Sequence, residues 1–406
     1  MSILPVSAHV KWVGVLDPDL VTFDIVMETR YGTTYNSYFI DAKKKAVVET
    51  VKSSFGEEYI GKLKTLTPLS EIEYIIVDHT EPDHSGSVKL LLQHAPGATV
   101  VGSGQALQNL QEMMGIPFKS LKVKDGDELS LGNMTLQFIG APNLHWPDTV
   151  YTYLKEEKVL FTCDSFGAHY CHQAMYDDQV GNYEEAFRYY FDVILKPFSK
   201  FMLKAIDKIR KLDIAVICPG HGPILRSSWK NAIETSERIS REYLASIEPS
   251  RHRILIAYVS AYGYTREMAE MLGKSISSTI EADIDTVDLE VIHAGGLEEK
   301  IVRSTAILIG SPTINQNTLL PVYSMLAMIN PIRDKGKLGA SFGSYGWSGE
   351  AVKIIDSSLK SLKLDVPLEG VAAKFFPHEN KAERLKEFGQ KIGAILRERK
   401  ILKEVD

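Results

Sequence analysis

Residues Tyr74 to Leu92 read YIIVDHTEPDHSGSVKLLL. The apolar run Tyr74 to Val77 has the composition of a buried strand, and Val88 to Leu92 begins an amphipathic helix. Between them stand five groups able to bind metal: Asp78, His79, Glu81, Asp83 and His84. Ser85 and Ser87, with Gly86, are residue types that start helices. A strand that ends in a tight polar loop and feeds a helix carries its side chains on rigid supports, as a metal site requires. Taken alone, the segment reads equally well as a capped, solvated loop.

Its company decides. Phe138 to Leu144 leads to His145, Leu160 to Cys163 leads to Asp164, and Ile214 to Gly220 leads to His221. Three further strands thus each close on a single His or Asp in a loop, a design that gathers ligands along one rim of a sheet. A lone histidine is more often structural, but an ordered set with carboxylates reverses that expectation. His169 and His172 read as structural or supporting groups. Cys163 and Cys171 read as packed thiols, since nothing nearby supplies a resolving partner. The aromatic run Tyr183 to Phe191 has helical spacing and belongs in the core, from which Tyr190 could line the site.

Working outward, 406 residues exceed one average domain, so two are expected. Hydrophobic content of 44% and charged content of 24% are ordinary for a globular chain. A net charge of -6 argues against nucleic acid as a partner. No run of about 18 apolar residues predicts a membrane span, and the first residues lack the basic and apolar regions of a secretory signal. The three cysteines, Cys163, Cys171 and Cys218, form no Cys-x-x-Cys. That excludes a disulfide framework, a zinc ribbon or a rubredoxin-type iron site. A reducing cytoplasm fits.

The first quarter reads as strands at Val10 to Leu16, Phe23 to Met27, Ser37 to Ile40 and Lys45 to Val48, with a turn-rich Thr29 to Tyr35. Strand follows strand, which predicts antiparallel sheet. Phe55 to Leu66 and Gly104 to Met114 read as helices and Thr99 to Gly102 as a strand. The turn Gly102-Ser103-Gly104 lacks the third glycine of a dinucleotide fingerprint. Two hairpins follow, Leu129 to Ile139 and Val150 to Thr162.

HTEPDH, LHWPDT, FTCDSFG and CPGHGP, with YGTTYNSY at Tyr31 to Tyr38, resemble the motifs of metallo-β-lactamase-fold proteins. The Glu81 variant resembles the flavodiiron proteins. That resemblance implies an αββα sandwich in which His79, Glu81 and His145 hold one iron, Asp83, His84 and His221 the other, and Asp164 bridges them. His84 is the member of this set whose direct coordination varies within the family. Hydrolases of the fold carry His at the position of Glu81. Three carboxylates give -3, so two ferrous ions and one hydroxide reach neutrality, and hard oxygens favour the oxidised iron. Asp78, Asp148 and loop carbonyls are candidates to orient the imidazoles. One departure is Asp24, where family members often have His beside the substrate pocket.

A long helix, Ser227 to Ser246, ends this first domain, taken as residues 1–248, and residues 247–252 form a polar linker. The second domain, 253–406, opens with Arg253 to Val259, a continuous apolar strand as expected of a parallel sheet buried on both faces. Ser260, Ala261, Tyr262, Gly263, Tyr264 and Thr265 then lead into a helix, Arg266 to Ser278. Free backbone N–H groups, the helix dipole and two hydroxyls there make a phosphate cradle, without the Gly-Lys-Ser/Thr of a Walker loop. Strands at Asp283 to Leu289, Ala306 to Ile309 and Lys337 to Gly343 follow. They carry two more loops: Ser311, Pro312, Thr313, Ile314 and Asn315; and Gly343, Ser344, Tyr345, Gly346, Trp347, Ser348 and Gly349. Helices at Glu350 to Leu362 and Lys381 to Arg397 complete a doubly wound sheet. The three loops resemble those of flavodoxins, which implies FMN at the carboxyl edge of the sheet.

Together these readings predict a two-domain α/β and α+β oxidoreductase carrying FMN and two iron ions. Two ferrous ions and reduced FMN hold four electrons, enough to take dioxygen to two waters; two electrons take two nitric oxide molecules to nitrous oxide and water. The resemblance implies a head-to-tail homodimer or higher and an external donor such as rubredoxin or a reduced deazaflavin. Alternatives are a zinc hydrolase fused to a flavodoxin-like domain and a non-catalytic redox carrier.

Overall fold

Lys45–Val48, Ile72–Ile76 and Thr99–Gly102 lie side by side, and their alternate residues face two different cores. Val47, Ile75 and Val100 pack with Tyr59, Leu63, Leu91 and Leu110 of the covering helices. Val48, Ile76 and Val101 meet Leu136, Phe138 and Phe161 of a second sheet. Each such fully buried side chain contributes roughly 1.5–3 kcal/mol, and the period of two fixes which face it serves. The arrangement is the expected αββα sandwich. The computed structural model describes residues 3–23, 27–247, 251–375 and 379–399, in two units that divide between Tyr243 and Leu244.

The first sheet has seven strands, in the order Leu4–Pro5, Val10–Trp12, Tyr38–Ile40, Lys45–Val48, Ile72–Ile76, Thr99–Gly102 and Lys119–Lys122. It is antiparallel only as far as Lys45–Val48 and parallel beyond. Antiparallel pairing therefore holds only for the first four of the seven strands. The second sheet runs Glu128–Ser130, Thr135–Gly140, Val150–Leu154, Val159–Cys163 and Val216–Pro219, with only the last pair parallel. Helix Ser199–Ile209 covers its outer face with Met202, Ile206 and Ile209.

Two expected strands divide. Val10 to Leu16 breaks into Val10–Trp12 and Val15–Asp17 around Gly14, where a Cβ would lie 2.3 Å from the Tyr35 carbonyl oxygen. Val15–Asp17 instead pairs with Thr33–Tyr35, inside the stretch read as turns. Phe23 to Met27 shows Thr22–Phe23 paired with Met27–Glu28; Asp24 lies outside the described residues.

In the second unit five strands are all parallel, in the order Asp283–Asp288, Arg253–Tyr258, Ala306–Gly310, Leu338–Tyr345 and Val371–Lys374. This is the flavodoxin-type order, with its switch point between Arg253–Tyr258 and Ala306–Gly310, the first and third strands of this unit. Ile254 and Ile256 face helices Tyr264–Ser277 and Glu379–Glu398, while Leu255 and Ala257 face Ala294–Arg303, Leu320–Met328 and Glu350–Ser361. Of the linker read at 247–252, residues 248–250 lie outside the described residues.

Candidate metal centre

The strand Ile72–Ile76 delivers its loop into a short helix, Pro82–Ser85, that begins with proline, whose missing N–H costs nothing there. Glu49 reaches under this loop. Its Oε1 accepts the backbone N–H of Asp78 at 2.5 Å and of His79 at 3.2 Å. Thr80 Oγ1 donates to Asp148 Oδ2 at 2.7 Å, and Ser85 Oγ donates to the Thr80 carbonyl at 2.9 Å. Thr149 Oγ1 ties the His145 loop through the carbonyls of Leu144 and Trp146. His221 stands between two glycines. A Cβ on Gly220 would lie 2.7 Å from His84 Cε1 and 3.0 Å from Asp164 Oδ1, so only hydrogen fits.

All seven predicted ligands converge, in two groups. In one, Glu81, His79, His145 and Asp164 meet: His145 Nε2 is 2.6 Å from Asp164 Oδ2 and 3.0 Å from Glu81 Oε2, and His79 Nε2 is 3.3 Å from Asp164 Oδ2. In the other, Asp83, His84 and His221 meet: Asp83 Oδ2 is 3.2 Å from His84 Nε2 and 3.1 Å from His221 Nε2. Asp164 turns its Oδ1 to this second group, 3.1 Å from His84 Nε2 and 3.5 Å from His221 Nε2. One carboxylate therefore presents an oxygen to each group, and His84 points into the cluster as the other imidazoles do.

These atoms are buried without conventional partners. His79 Nε2, Asp164 Oδ1 and both oxygens of Asp83 make no hydrogen bond. An unmet buried polar atom costs about 1–3 kcal/mol, so four in one pocket require something that satisfies them together. Burial alone would raise Asp164, but His79, His84 and His145 hold its carboxyl well below the usual range. Burial would likewise lower His145, yet Asp164 and Glu81 push it up to about 9. The two carboxylates favour the protonated form of His145, and a cation bound at its Nε2 would displace that proton. Four imidazoles and three carboxylates fit two iron ions.

Supporting groups differ from expectation. His221 Nδ1 donates to the Thr34 carbonyl at 2.6 Å, a carbonyl of the strand Thr33–Tyr35 where a loop carbonyl was expected. Asp78 accepts instead from Thr152 Oγ1, and Asp148 from Thr80; no hydrogen bond runs from either to an imidazole among the described residues. Cys163, read as a packed thiol, sits 2.6 Å from His79 Nδ1. Neither it nor Glu49 carries a local signal, because both are defined by what folds onto them. His169 is buried against His221, with ring centroids 4.8 Å apart, whereas His172 is exposed. Tyr190 is buried and packs edge-on against His169, its centroid 6.1 Å from that of His221. Burial, then Asp164 and Glu81, raise its phenol well above 10.

In the second unit, the three predicted loops leave the carboxyl ends of neighbouring strands. Helix Tyr264–Ser277 starts behind Gly263, which is left-handed at φ 86°, and its first N–H groups have no intrahelical acceptor. Thr265 Oγ1 and Ser344 Oγ lie 2.9 Å apart, and Thr313 N–H donates to the Ser344 carbonyl at 2.8 Å, so the loops brace one another. A Cβ on Gly343 would lie 2.1 Å from the Ser311 carbonyl oxygen. Tyr262 and Trp347 are 84% and 78% exposed, flat rings left free beside a helix N-terminus suited to phosphate.

The ODP family of β-lactamases matches residues 33–222, and flavodoxin matches residues 256–388. A type A flavoprotein of Rhodobacter capsulatus is 39% identical over 99% of this chain and 93% of its own length. A flavo-diiron protein of Clostridium acetobutylicum is 37% identical over 96% and 98%. A protein of Moorella thermoacetica named nitric oxide reductase is 35% identical over 96% and 98%. Among solved structures, the rubredoxin oxygen:oxidoreductase of Desulfovibrio gigas superposes with a TM-score of 0.62 at 28% identity, covering 98% of this chain and 99% of that one.

Proposed function

The chain belongs to the flavodiiron proteins, and from that premise we propose that it reduces dioxygen to water, nitric oxide to nitrous oxide, or both, at iron held by His79, Glu81, Asp83, His84, His145, Asp164 and His221. One observation carries the reading: seven donors, six of them buried and His145 half-buried, meet in two groups, and Asp164 offers one oxygen to each. When bound, two iron ions and FMN supply the electrons for either reduction. The chain's own residues do the rest. Glu49, Thr34 and Gly220 hold the donors in register, while Phe23, His169 and Tyr190 wall the pocket with groups that stay neutral. Lowering of His169 by burial and then by His221 keeps it uncharged.

The domain bounds 1–248 and 253–406, the three flavin loops at 260–265, 311–315 and 343–349, and supporting roles for Tyr190 and Asp24 belong to the same proposal. So do a head-to-tail homodimer, a cytoplasmic location and an external donor such as rubredoxin or a reduced deazaflavin. Among the described residues no helix is long and apolar enough to cross a membrane. The test is anaerobic single turnover of fully reduced, metal-analysed protein against limiting dioxygen and, separately, nitric oxide. Fast flavin reoxidation by one gas, with about two irons and one FMN per chain, supports the reading and names the substrate. Two zincs, or no fast reoxidation by either gas, returns the hydrolase reading to the front.

A further inference from the structure

His79 is held from two sides by residues in an unusual backbone conformation. Glu49, at φ 61°, accepts the backbone N–H of His79, and Cys163, at φ 51°, sets its sulfur 2.6 Å from the ring Nδ1. Left-handed φ is uncommon outside glycine, asparagine and aspartate, costs about 1–3 kcal/mol, and persists where surrounding structure imposes it. Two such residues converge on one imidazole. The Glu49 carboxylate also lies within 4.8 Å of both Cys163 Sγ and a ring nitrogen of His79. Neither side chain is a predicted iron ligand, and both are buried.

The ring's other nitrogen, Nε2, faces Glu81 and Asp164. With Nε2 given to metal, the ring proton sits on Nδ1, and the group it meets is the Cys163 sulfur. His221 is arranged differently: its Nδ1–H meets the Thr34 carbonyl oxygen at 2.6 Å. An acceptor on the outer nitrogen fixes the ring and makes the imidazole a stronger donor to metal. Thiol sulfur is a weak acceptor and carbonyl oxygen a strong one. The two metal positions are therefore supported unequally.

We infer that Cys163 is the positioning residue for His79, its sulfur taking the Nδ1–H and keeping this imidazole a weaker donor than His221; the inference rests on the diiron reading above. A weaker imidazole donor stabilises the ferric state less, so the sulfur holds the potential of its iron above the value that an oxygen acceptor would set.

Two substitutions separate this from simple packing. Cys163→Asn suits the left-handed backbone and offers an amide oxygen as the acceptor; Cys163→Ala offers none. The measurements are iron retention against a competing chelator and the midpoint potentials of the diiron centre and FMN in a mediated anaerobic titration of the full chain. Cys163→Asn is expected to retain iron and move the diiron potential down. Cys163→Ala is expected to move it up and to weaken iron retention about 10–100-fold. The FMN potentials serve as the unmoved control. Diiron potentials unchanged in both variants, or shifted the same way, overturn the inference while leaving the diiron reading intact. Wild-type protein that takes up no iron overturns both. If the alanine variant does not fold, the sign of the asparagine shift decides alone.

Discussion

On the proposed iron site, metal choice turns on Glu81. It brings a hard oxygen to the group formed by His79, His145 and Asp164, and carboxylate in place of imidazole moves preference from zinc toward iron. Glu81→His is expected to raise bound zinc at the expense of iron and to abolish reductase turnover, checked by elemental analysis and gas consumption; iron content and turnover at wild-type levels would refute the assignment. Gly220 makes a stricter demand. A methyl group there collides with His84 and Asp164, so Gly220→Ala should lose most bound iron while FMN content stays at one per chain. The candidate ligands were legible in the sequence because the segments that carry them follow strand ends and hold Gly or Pro. Cys163 and Glu49 were not, since their roles arise from an approach of segments far apart in the chain.

Among the elements, strands with apolar runs between turn residues were readable to within a residue, as at Lys45–Val48 and Thr99–Gly102. Helix Ala294–Arg303 was passed over because its first turn, Ala-Gly-Gly, has poor propensity, and Leu320–Met328 because it is apolar on all sides and shows no period. The break at Gly14 is imposed by the Tyr35 carbonyl and has no local cause. The same kind of close approach locks the second and third of the proposed flavin loops at Gly343. Gly343→Ala should push Ser311 away at a cost of about 1–3 kcal/mol. FMN per chain is expected to fall with iron unchanged; full FMN content would show that the loops tolerate the shift. Asp177 offers a further test. It accepts the backbone N–H groups of Ser227 and Ser228 ahead of helix Trp229–Ile247. Asp177→Ala should destabilise the first unit by roughly 0.5–2 kcal/mol, read as a lower denaturant midpoint, and an unmoved midpoint would deny the cap.

At the scale of the whole molecule, each unit has its own cores and the cofactors divide between them. Bound ligand stabilises only the fold that holds it, by about 2.7 kcal/mol at a hundredfold excess over Kd. Removing iron should therefore lower the melting temperature of the first unit by about 5–10 °C, and removing FMN that of the second; calorimetry on the two depleted forms checks this, and one shared shift would count against it. The dispersal of the donors has a temporal side as well. His79 to His84 come early in the chain and His221 far later, just past Val216–Pro219, the last strand in the second sheet's order. At ribosomal rates that interval is on the order of ten seconds. A nascent chain thus cannot assemble the complete iron site until nearly the whole first unit has been made, and iron loading waits for that unit to close.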